Sequence, residues 1–321
     1  MAIKTPTADE RSIPGRSLTR ARVRPLEKIG EGILFFAAIM SIISIILIFV
    51  FVGKEALPLL YRLDIREEVT LKQMFTTTIW QPVGETPKFS VLPLILGTMK
   101  VTIIGIVIAT PFAIGAAIYT AEFANKRTRE IVKPFVEILA GFPSVVLGFL
   151  ALIVFATWIQ QVTGVQSRLN AFVGGCAVAL AIIPIIYTVA EDALTAIPRS
   201  YREASLALGA NKAQTALAVV VPAAAPGIAA AIILGMGRGI GETMIVLMAT
   251  GNAAIISFNP FDSARTMAAT IGQEMGEVVH GDAHYTALFF IGVLLFVITF
   301  SLNMASRSFV RSIVKKLGHA K

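Results

Sequence analysis

The sequence is poor in charged residues and contains a single cysteine. Charged residues occupy 15% of its 321 positions, whereas about a quarter is typical of soluble domains. The one cysteine, Cys176, excludes an intrachain disulfide, and its place inside an apolar run indicates a small core residue. The scarcity of charge argues against a soluble protein and favours one that lies in a membrane.

The sequence patterns of common enzyme sites are also missing. The Walker pattern G-x-x-x-x-G-K-[ST] occurs nowhere, so we expect no ATP binding through such a motif. The patterns H-E-x-x-H and G-x-S-x-G are absent too. His280 and His284 are four residues apart, but no third ligand has a suitable spacing, which favours a solvated loop over a metal site. We therefore predict a protein that is not an enzyme, with no cofactor and no metal.

Apolar residues dominate what is present. They make up 55% of the chain, and the mean hydropathy is +0.76. A helix of about 20 apolar residues crosses a bilayer, and six runs reach that length. They lie at residues 33–52, 91–122, 135–158, 171–190, 228–250 and 285–305, the third broken by Gly141-Phe142-Pro143. The sequence thus predicts an all-α, polytopic membrane protein with six transmembrane helices.

Positive charge is distributed unevenly around these runs. Of the 28 Lys and Arg residues, nineteen flank the runs on one side and seven on the other. The larger group lies in residues 1–28, 123–134, 191–227 and 306–321. Because cytoplasmic loops carry the excess of Lys and Arg, both termini are predicted to be cytoplasmic. Basic residues that flank apolar runs make nucleic-acid binding a poor explanation of the net charge of +8.

A polar segment at residues 191–227 separates two apolar runs and carries the signals of two short helices. Ser200 and Glu203 have the spacing of a capping box, which predicts a helix start. Gly209 suits the left-handed residue that ends such a helix. The first predicted helix therefore runs from about residue 199 to the glycine.

The second helix of this segment has its own start signal. Asn211 and Gln214 repeat the capping spacing. We expect this helix to run as far as Pro222. Two short helices that fold around a glycine would form a stiff unit outside the membrane.

This segment resembles the EAA loop of binding-protein-dependent ABC importer permeases. The family pattern is EAA, three residues, G, nine residues, then I-x-L-P, and the spacing here is the same. The matching residues are Glu203, Ala204, Ser205, Gly209, Val219, Val221 and Pro222. The resemblance implies that a coupling loop at residues 199–222 docks onto a cytoplasmic ATPase through Glu203, Ala204, Gly209 and Pro222. A helix cap alone is the other interpretation of Glu203.

Two charged residues, Arg238 and Glu242, lie inside the fifth predicted span. A charge at mid-bilayer costs roughly 2.5–3.5 kcal/mol, so both should face the bundle interior or a wet cavity. Their spacing of four residues places them on one helical face, within pairing reach. An arginine suits an anion pathway because its fork matches phosphate oxygens, whereas a structural ion pair is the alternative.

Glycines surround this charged pair. Gly235 with Gly239 and Gly237 with Gly241 form two small-xxx-small pairs, which predict close packing of neighbouring helices. At the inner membrane surface, Glu122 is expected to pair with nearby basic residues of the 123–134 loop.

The same region resembles the PstC family of phosphate-specific permease subunits. Residues 237–244 read GRGIGETM, similar to that family's G-R-A-x-G-E-T-M, with Gly239 in place of alanine. Residues 139–146 and 296–300 resemble its L-A-G-I-P-S-V-V and F-V-I-T-F runs. The resemblance covers most of residues 91–306. It implies a type I ABC importer permease of MetI-like architecture, with Arg238, Glu242 and Thr243 on the phosphate pathway.

The resemblance also implies an assembly and a location. The partners would be a homologous PstA-like permease, a PstB-like ATPase homodimer and an extracytoplasmic PstS-like phosphate-binding protein, in the plasma (inner) membrane of a bacterium. The predicted parts are a basic cytoplasmic arm (1–28), the first span (33–52), an extracytoplasmic loop (53–90), a permease core (91–306) and a basic cytoplasmic tail (307–321).

Other functions are compatible with the residues alone. An intramembrane arginine suits a permease for sulfate or molybdate as well as phosphate. An ion-coupled secondary transporter usually shows internal repeats, and none is evident here. A purely structural membrane subunit would leave the charged pair unexplained.

Overall fold

The computed structural model describes residues 25–318, with side chains described for 28–305, 307 and 308. The α-helices in chain order are α1 (Pro25–Ala56), α2 (Pro58–Tyr61), α3 (Leu63–Glu68), α4 (Leu71–Thr76), α5 (Leu92–Ile118), α6 (Lys126–Gly141), α7 (Ser144–Leu150), α8 (Ala156–Thr163), α9 (Ala171–Thr195), α10 (Arg199–Ala207), α11 (Lys212–Thr215), α12 (Val221–Ile240), α13 (Met244–Ala249), α14 (Met267–Glu274) and α15 (Ala283–Gly318). Three π-helical segments lie at Tyr119–Phe123, Ala151–Phe155 and Ala216–Val220.

The described residues form almost no sheet. Strands β1 (Trp80–Gln81) and β2 (Lys88–Phe89) pair antiparallel, with Trp80 opposite Phe89. The all-α prediction is therefore confirmed. Of the predicted basic arm, residues 1–24 lie outside the described residues, as do residues 319–321 of the predicted tail.

Within the described part of the chain, six helical stretches are long and apolar enough to cross a membrane, as predicted. They are Lys28–Tyr61, Leu92–Phe123, Ser144–Thr163, Ala171–Thr195, Lys212–Ile240 and Ala283–Ala305.

The described part of the chain divides into two compact units between Phe51 and Val52. In the first unit, α1 is apolar on all sides from residue 33 onward, apart from Ser41 and Ser44. Each serine hydroxyl donates a hydrogen bond to a carbonyl one turn earlier, of Ala37 and Met40 respectively. Both hydroxyl groups are therefore hydrogen-bonded, as polar groups must be inside the hydrocarbon layer of a membrane.

The core of the second unit is built around α9, which packs along α5 and α12. Small residues make this packing close. A Cβ atom added at Gly105 would lie 3.2 Å from Val178 Cγ1, and one at Gly235 would lie 2.6 Å from Ile186 Cγ1. Because lipid tails are as apolar as the helices, contact of this kind is what holds spans together.

The third span starts later than predicted. The sequence predicts residues 135–158, but the span begins at Ser144 after a break at Phe142 and Pro143. The preceding α6 is a separate amphipathic helix with no buried side chain. Its apolar residues recur at helical spacing among charged ones, so they form one face and not a continuous run.

The fifth span is shifted toward the N-terminus relative to the predicted residues 228–250. Residues Lys212–Ile240 form one helical stretch, so the predicted helix end at Pro222 is wrong. Pro222 lies in the first turn of α12, directly after the π-helical segment Ala216–Val220. The wider π turn accommodates a residue that has no N–H to donate.

The segments 53–90 and 251–283 form a second apolar cluster with the ends of α5 and α15. Its buried residues include Leu59, Met74, Trp80, Met267 and Leu288. The loop that precedes α14 lies directly against α5, where the Met267 N–H donates to Thr98 Oγ1 at 3.0 Å. These segments therefore form a packed layer and not simple connections.

Glu274 joins the parts of this layer. Its carboxylate accepts hydrogen bonds from Trp80 Nε1, and it lies 2.7 Å from Arg265 Nη1 and 2.8 Å from His284 Nε2. His280 is exposed and lies 3.9 Å from Glu55. No cluster suited to a metal ion was found among the described residues.

We expect the contact between Gly97 and the Arg265 carbonyl to be sensitive to a single methyl group. A Cβ at Gly97 would overlap that backbone oxygen. Forcing the backbone to shift typically costs roughly 1–3 kcal/mol, so Gly97→Ala should lower the Tm of the permease in detergent. The control is Gly115→Ala in the same helix, where the methyl group meets no atom within 4 Å. An equal loss of Tm in both variants would contradict the prediction.

Candidate functional site

The coupling loop (residues 199–222) contains two helical pieces that meet at Gly209. Helix α10 ends at Ala207, and Gly209 has a φ of 85°, the left-handed conformation that was predicted for it. Asn211 and Gln214 then form the predicted capping box, with N–H to side-chain oxygen distances of 2.8 and 2.9 Å. The turn chemistry of this loop is thus confirmed.

The start of α10 differs from the prediction. Pro198 occupies the N-cap position, and the helix begins at Arg199 without a side-chain cap. The predicted capping box of Ser200 and Glu203 is therefore wrong, because both residues already lie within the helix. Glu203 is exposed and makes no hydrogen bond or ion pair with any described residue.

The exposed side of α10 carries a shallow apolar cleft of about 520 Å³. Tyr201, Ala204 and Leu208 are among the residues that line it, and Leu208 is 90% exposed. Glu203 is exposed but does not line this cleft. An exposed, mostly apolar cleft is a surface suited to a protein partner.

Ser205 also lines this cleft, although the residue itself is buried. Ser205 stands where the EAA pattern has its second alanine, and its hydroxyl lies 2.9 Å from Thr215 Oγ1 in a buried contact. This bond links α10 to α11 across the Gly209 turn. The serine in place of alanine therefore adds a hydrogen bond within the coupling loop.

Arg202 also points inward, and it reaches two spans. Its Nη2 lies 2.6 Å from a carboxylate oxygen of Glu122, which ends the second span. Its guanidinium also donates to the carbonyl oxygens of Leu194 and Ile197, at the end of α9. The prediction that Glu122 pairs with the nearby 123–134 loop is wrong, because its partner is 80 residues away.

A second ion pair joins α6 to α9 at the same end of the bundle. Lys133 Nζ lies 2.8 Å from Glu191 Oε2, and the Glu191 side chain is only 2% exposed. The hydrogen bond to Glu191 raises the pKa of Lys133, against the opposite effect of burial. The lysine therefore stays charged at neutral pH.

The predicted pair of charges in the fifth span is present, but its setting differs. Arg238 lies in the last turn of α12, whereas Glu242 lies in the break that separates α12 from α13. Arg238 Nη2 is 3.7 Å from Glu242 Oε2, with side-chain exposures of 54% and 4%. Arg238 makes no hydrogen bond with the described residues, so its guanidinium donors remain available.

Thr243 completes the break beside this pair. Its hydroxyl donates to the Gly241 carbonyl at 3.3 Å. Its methyl group packs so closely on Gly272 of α14 that a Cβ there would overlap it. This contact with α14, which belongs to the 251–283 segment, therefore holds the break in place.

The glycines near Arg238 divide between two faces. Gly235 and Gly239 pack toward α9, as the small-xxx-small pattern predicted. A Cβ at Gly237 would meet no atom within 4 Å, and one at Gly241 would meet only the backbone of its own turn. Close packing is therefore confirmed for the first pair and does not occur within the described chain for the second.

Several polar contacts of the site have no signal in the sequence. The Arg202–Glu122 and Lys133–Glu191 pairs join residues 80 and 58 positions apart. Lys100 in the second span donates to the carbonyl oxygens of Ser257 and Asn259, both at 3.1 Å. Spacing rules for helices and turns reach only a few residues, so none of these partners could be assigned beforehand.

Known proteins share this architecture. The chain is 33% identical over 290 residues to the probable ABC transporter permease protein YqgH of Bacillus subtilis, covering 90% of this chain and 93% of the relative. It is 32% identical over 262 residues to the phosphate transport system permease protein PstC of Mesorhizobium japonicum, covering 76% and 79%.

A solved structure supports the fold. A chain of a bacterial alginate ABC transporter, in complex with a periplasmic protein that binds an alginate pentasaccharide, superposes with a TM-score of 0.60. The identity is 15%, and the match covers 91% of this chain and 99% of the other. The predicted type I importer permease fold is thus confirmed. Residues 109–316 match the family described as "Binding-protein-dependent transport system inner membrane component", and the chain belongs to that family.

Proposed function

We propose that this chain is the PstC-like permease subunit of an ATP-driven importer of inorganic phosphate. The observation that carries the proposal is the half-exposed Arg238, next to the buried Glu242, where the fifth span breaks. Arg238 and Leu234 share the exposed face of α12. A charge that faces lipid costs roughly 2.5–3.5 kcal/mol, so this face should meet water or protein.

A homologous permease subunit is the partner that best explains this face. Gly237 and Gly241 flank Arg238 without packing inside the chain, and small residues allow a neighbouring helix to approach closely. A translocation path between two such subunits would keep Arg238 wet. In the phosphate importer that partner is a PstA-like subunit.

The chemistry of the pair suits a path for an anion. A guanidinium binds two phosphate oxygens at once through parallel N–H donors. Glu242 lowers the local positive charge, so phosphate is held weakly enough to leave again, as conduction requires. Thr243 adds a hydroxyl at the same break. The similarity to the phosphate transport system permease protein PstC of Mesorhizobium japonicum supports phosphate over other oxyanions.

Energy enters from a separate subunit in this proposal. A PstB-like ATPase dimer docks on the coupling loop, through Glu203, Ala204, Gly209 and Pro222, of which Ala204 lines the cleft. A PstS-like protein delivers phosphate from outside. ATP binding closes the ATPase dimer and moves the loop, so that the spans open outward. Hydrolysis then returns them to the inward-open state.

The orientation follows from the charge bias, with both termini and the coupling loop in the cytoplasm. Cys176 is the one cysteine, so Cys176→Ala gives a background for labelling. In that background, expressed without the ATPase subunit that would cover this position, Leu208→Cys should react with an impermeant maleimide in inside-out vesicles and not in intact spheroplasts. Val83→Cys, 78% exposed in the 53–90 segment, is the control and should show the reverse pattern. Labelling of Leu208→Cys in intact spheroplasts would contradict the orientation.

Glu203 tests the docking surface. Glu203→Lys should weaken copurification with the ATPase or remove phosphate-stimulated ATP hydrolysis, because it places a cation where the free carboxylate meets the partner. Glu130→Lys is the matched control: it makes the same charge change on an exposed residue of α6, outside the coupling loop. Unchanged stimulated ATPase activity in Glu203→Lys would count against docking at this residue.

Arg238 tests the path and the cargo. In proteoliposomes that contain the whole complex, Arg238→Gln should reduce phosphate uptake about tenfold or more, given that hydrogen bonds to charged groups contribute about 1.5–3 kcal/mol. Copurification of the subunits should not change. Arg238→Lys keeps the charge without the fork and should give intermediate uptake.

Two outcomes would overturn parts of this proposal. Normal phosphate uptake by Arg238→Gln would mean that the Arg238–Glu242 pair is only a structural contact. Competition by sulfate or molybdate as effective as that by unlabelled phosphate would assign the wild-type complex to another oxyanion.

A further inference from the structure

We infer that Arg202 and Glu122 form the joint through which the coupling loop moves the inner ends of the second and fourth spans. This inference rests on the proposed function, since it concerns how motion passes from the docking surface to the path. It gives Arg202 a positioning role, because the residue touches neither cargo nor nucleotide.

The joint is a three-way contact made by one side chain. Arg202 Nε lies 3.2 Å from both carboxylate oxygens of Glu122, and Nη2 lies 2.6 Å from one of them. Nη1 donates to the Ile197 carbonyl at 2.6 Å, and Nη2 donates to the Leu194 carbonyl at 2.9 Å. The guanidinium therefore binds the end of the second span and the C-terminal carbonyls of α9 together.

Burial makes this contact strong enough to transmit force. The Glu122 side chain is 6% exposed and that of Arg202 is 22% exposed. Removing one partner of a buried pair leaves the other charge without compensation, which is far costlier than losing a surface ion pair. Separating the pair would therefore cost more free energy than moving the two spans. When α10 moves, both spans follow it.

Arg202 and Glu203 are adjacent in sequence but differ in their surroundings. Glu203 is exposed, whereas Arg202 contacts the ends of the second and fourth spans. Within the described residues, the side-chain hydrogen bonds of α10 are those of Arg202 and the Ser205–Thr215 contact, which remains inside the coupling loop. The polar connection from the docking surface to the second and fourth spans thus runs through Arg202.

The Lys133–Glu191 pair supplies a matched comparison. It too places a buried carboxylate against a basic side chain at the same end of the bundle. It joins α6 to α9 and does not touch α10. Glu191→Gln therefore makes the same chemical change as Glu122→Gln in a pair outside the proposed route.

The test measures phosphate taken up per ATP hydrolysed by the reconstituted complex of permeases, ATPases and binding protein. Glu122→Gln should lower this ratio about fivefold or more, the lower end of typical coupling between distant sites, while ATP hydrolysis continues. Glu191→Gln should leave the ratio close to wild type. A merely structural pair would change the amount of complex recovered and leave the ratio unchanged.

Arg202→Lys is the second variant, because it keeps the charge and folds more readily than a neutral substitution. A lysine cannot bind the carboxylate and two carbonyls together through a planar fork, so the ratio should again fall. An unchanged ratio in both joint variants, or an equal fall in Glu191→Gln, would overturn the inference. Failure of the wild-type complex to import phosphate would instead refute the proposed function. The ratio would then be measured with the oxyanion that is imported.

Discussion

Close contact between helices is the constraint on which the rest of this structure depends. Inside a bilayer no hydrophobic force draws apolar helices together, so contact itself must supply the stability. Helix α9 meets this need with glycine and alanine on the faces that meet α5 and α12. The three helices form a compact core, and the coupling loop joins α9 to the fifth span. If such a core moves as a body, as we propose, a contact at one end can affect a site near the other.

The charged residues around this core differ in how closely they are paired. Glu122, Glu191 and Lys100 each have a close partner among the described residues, although one carboxylate oxygen of Glu191 is buried without a hydrogen bond. Arg238 differs, because its partner is 3.7 Å away and half of its side chain is exposed. The closest contacts of these three residues are 2.6–3.1 Å long, so the 3.7 Å contact of Arg238 is the weakest of the set. In the proposed function, the closely paired charges hold the bundle together and the poorly paired Arg238 meets the cargo.

Sequence patterns predicted the helical class, the number of spans and the turn at Gly209, because each depends on residues that are neighbours in the chain. They failed where a helix had to be divided between membrane and water. The apolar face of α6 was mistaken for part of a span, and the alanine-rich start of the fifth span was assigned to the polar segment. The Ser200–Glu203 box failed because Pro198 begins the helix earlier. Arg238 and Glu242 could be selected from sequence, but Arg202 could not, since its partners come together only in the folded chain.

Two of the π-helical segments, one at the end of the second span and one within the coupling loop, have a geometric consequence. One ends the second span at Tyr119–Phe123 and the other begins the fifth at Ala216–Val220. A π turn closes its hydrogen bonds one residue later than an α turn, so each segment contains one surplus residue. Loss of that extra residue would rotate the adjoining helix by roughly 100° about its axis, since 3.6 residues complete a turn. A change of register in either helix would therefore turn a whole face of side chains without breaking a covalent bond.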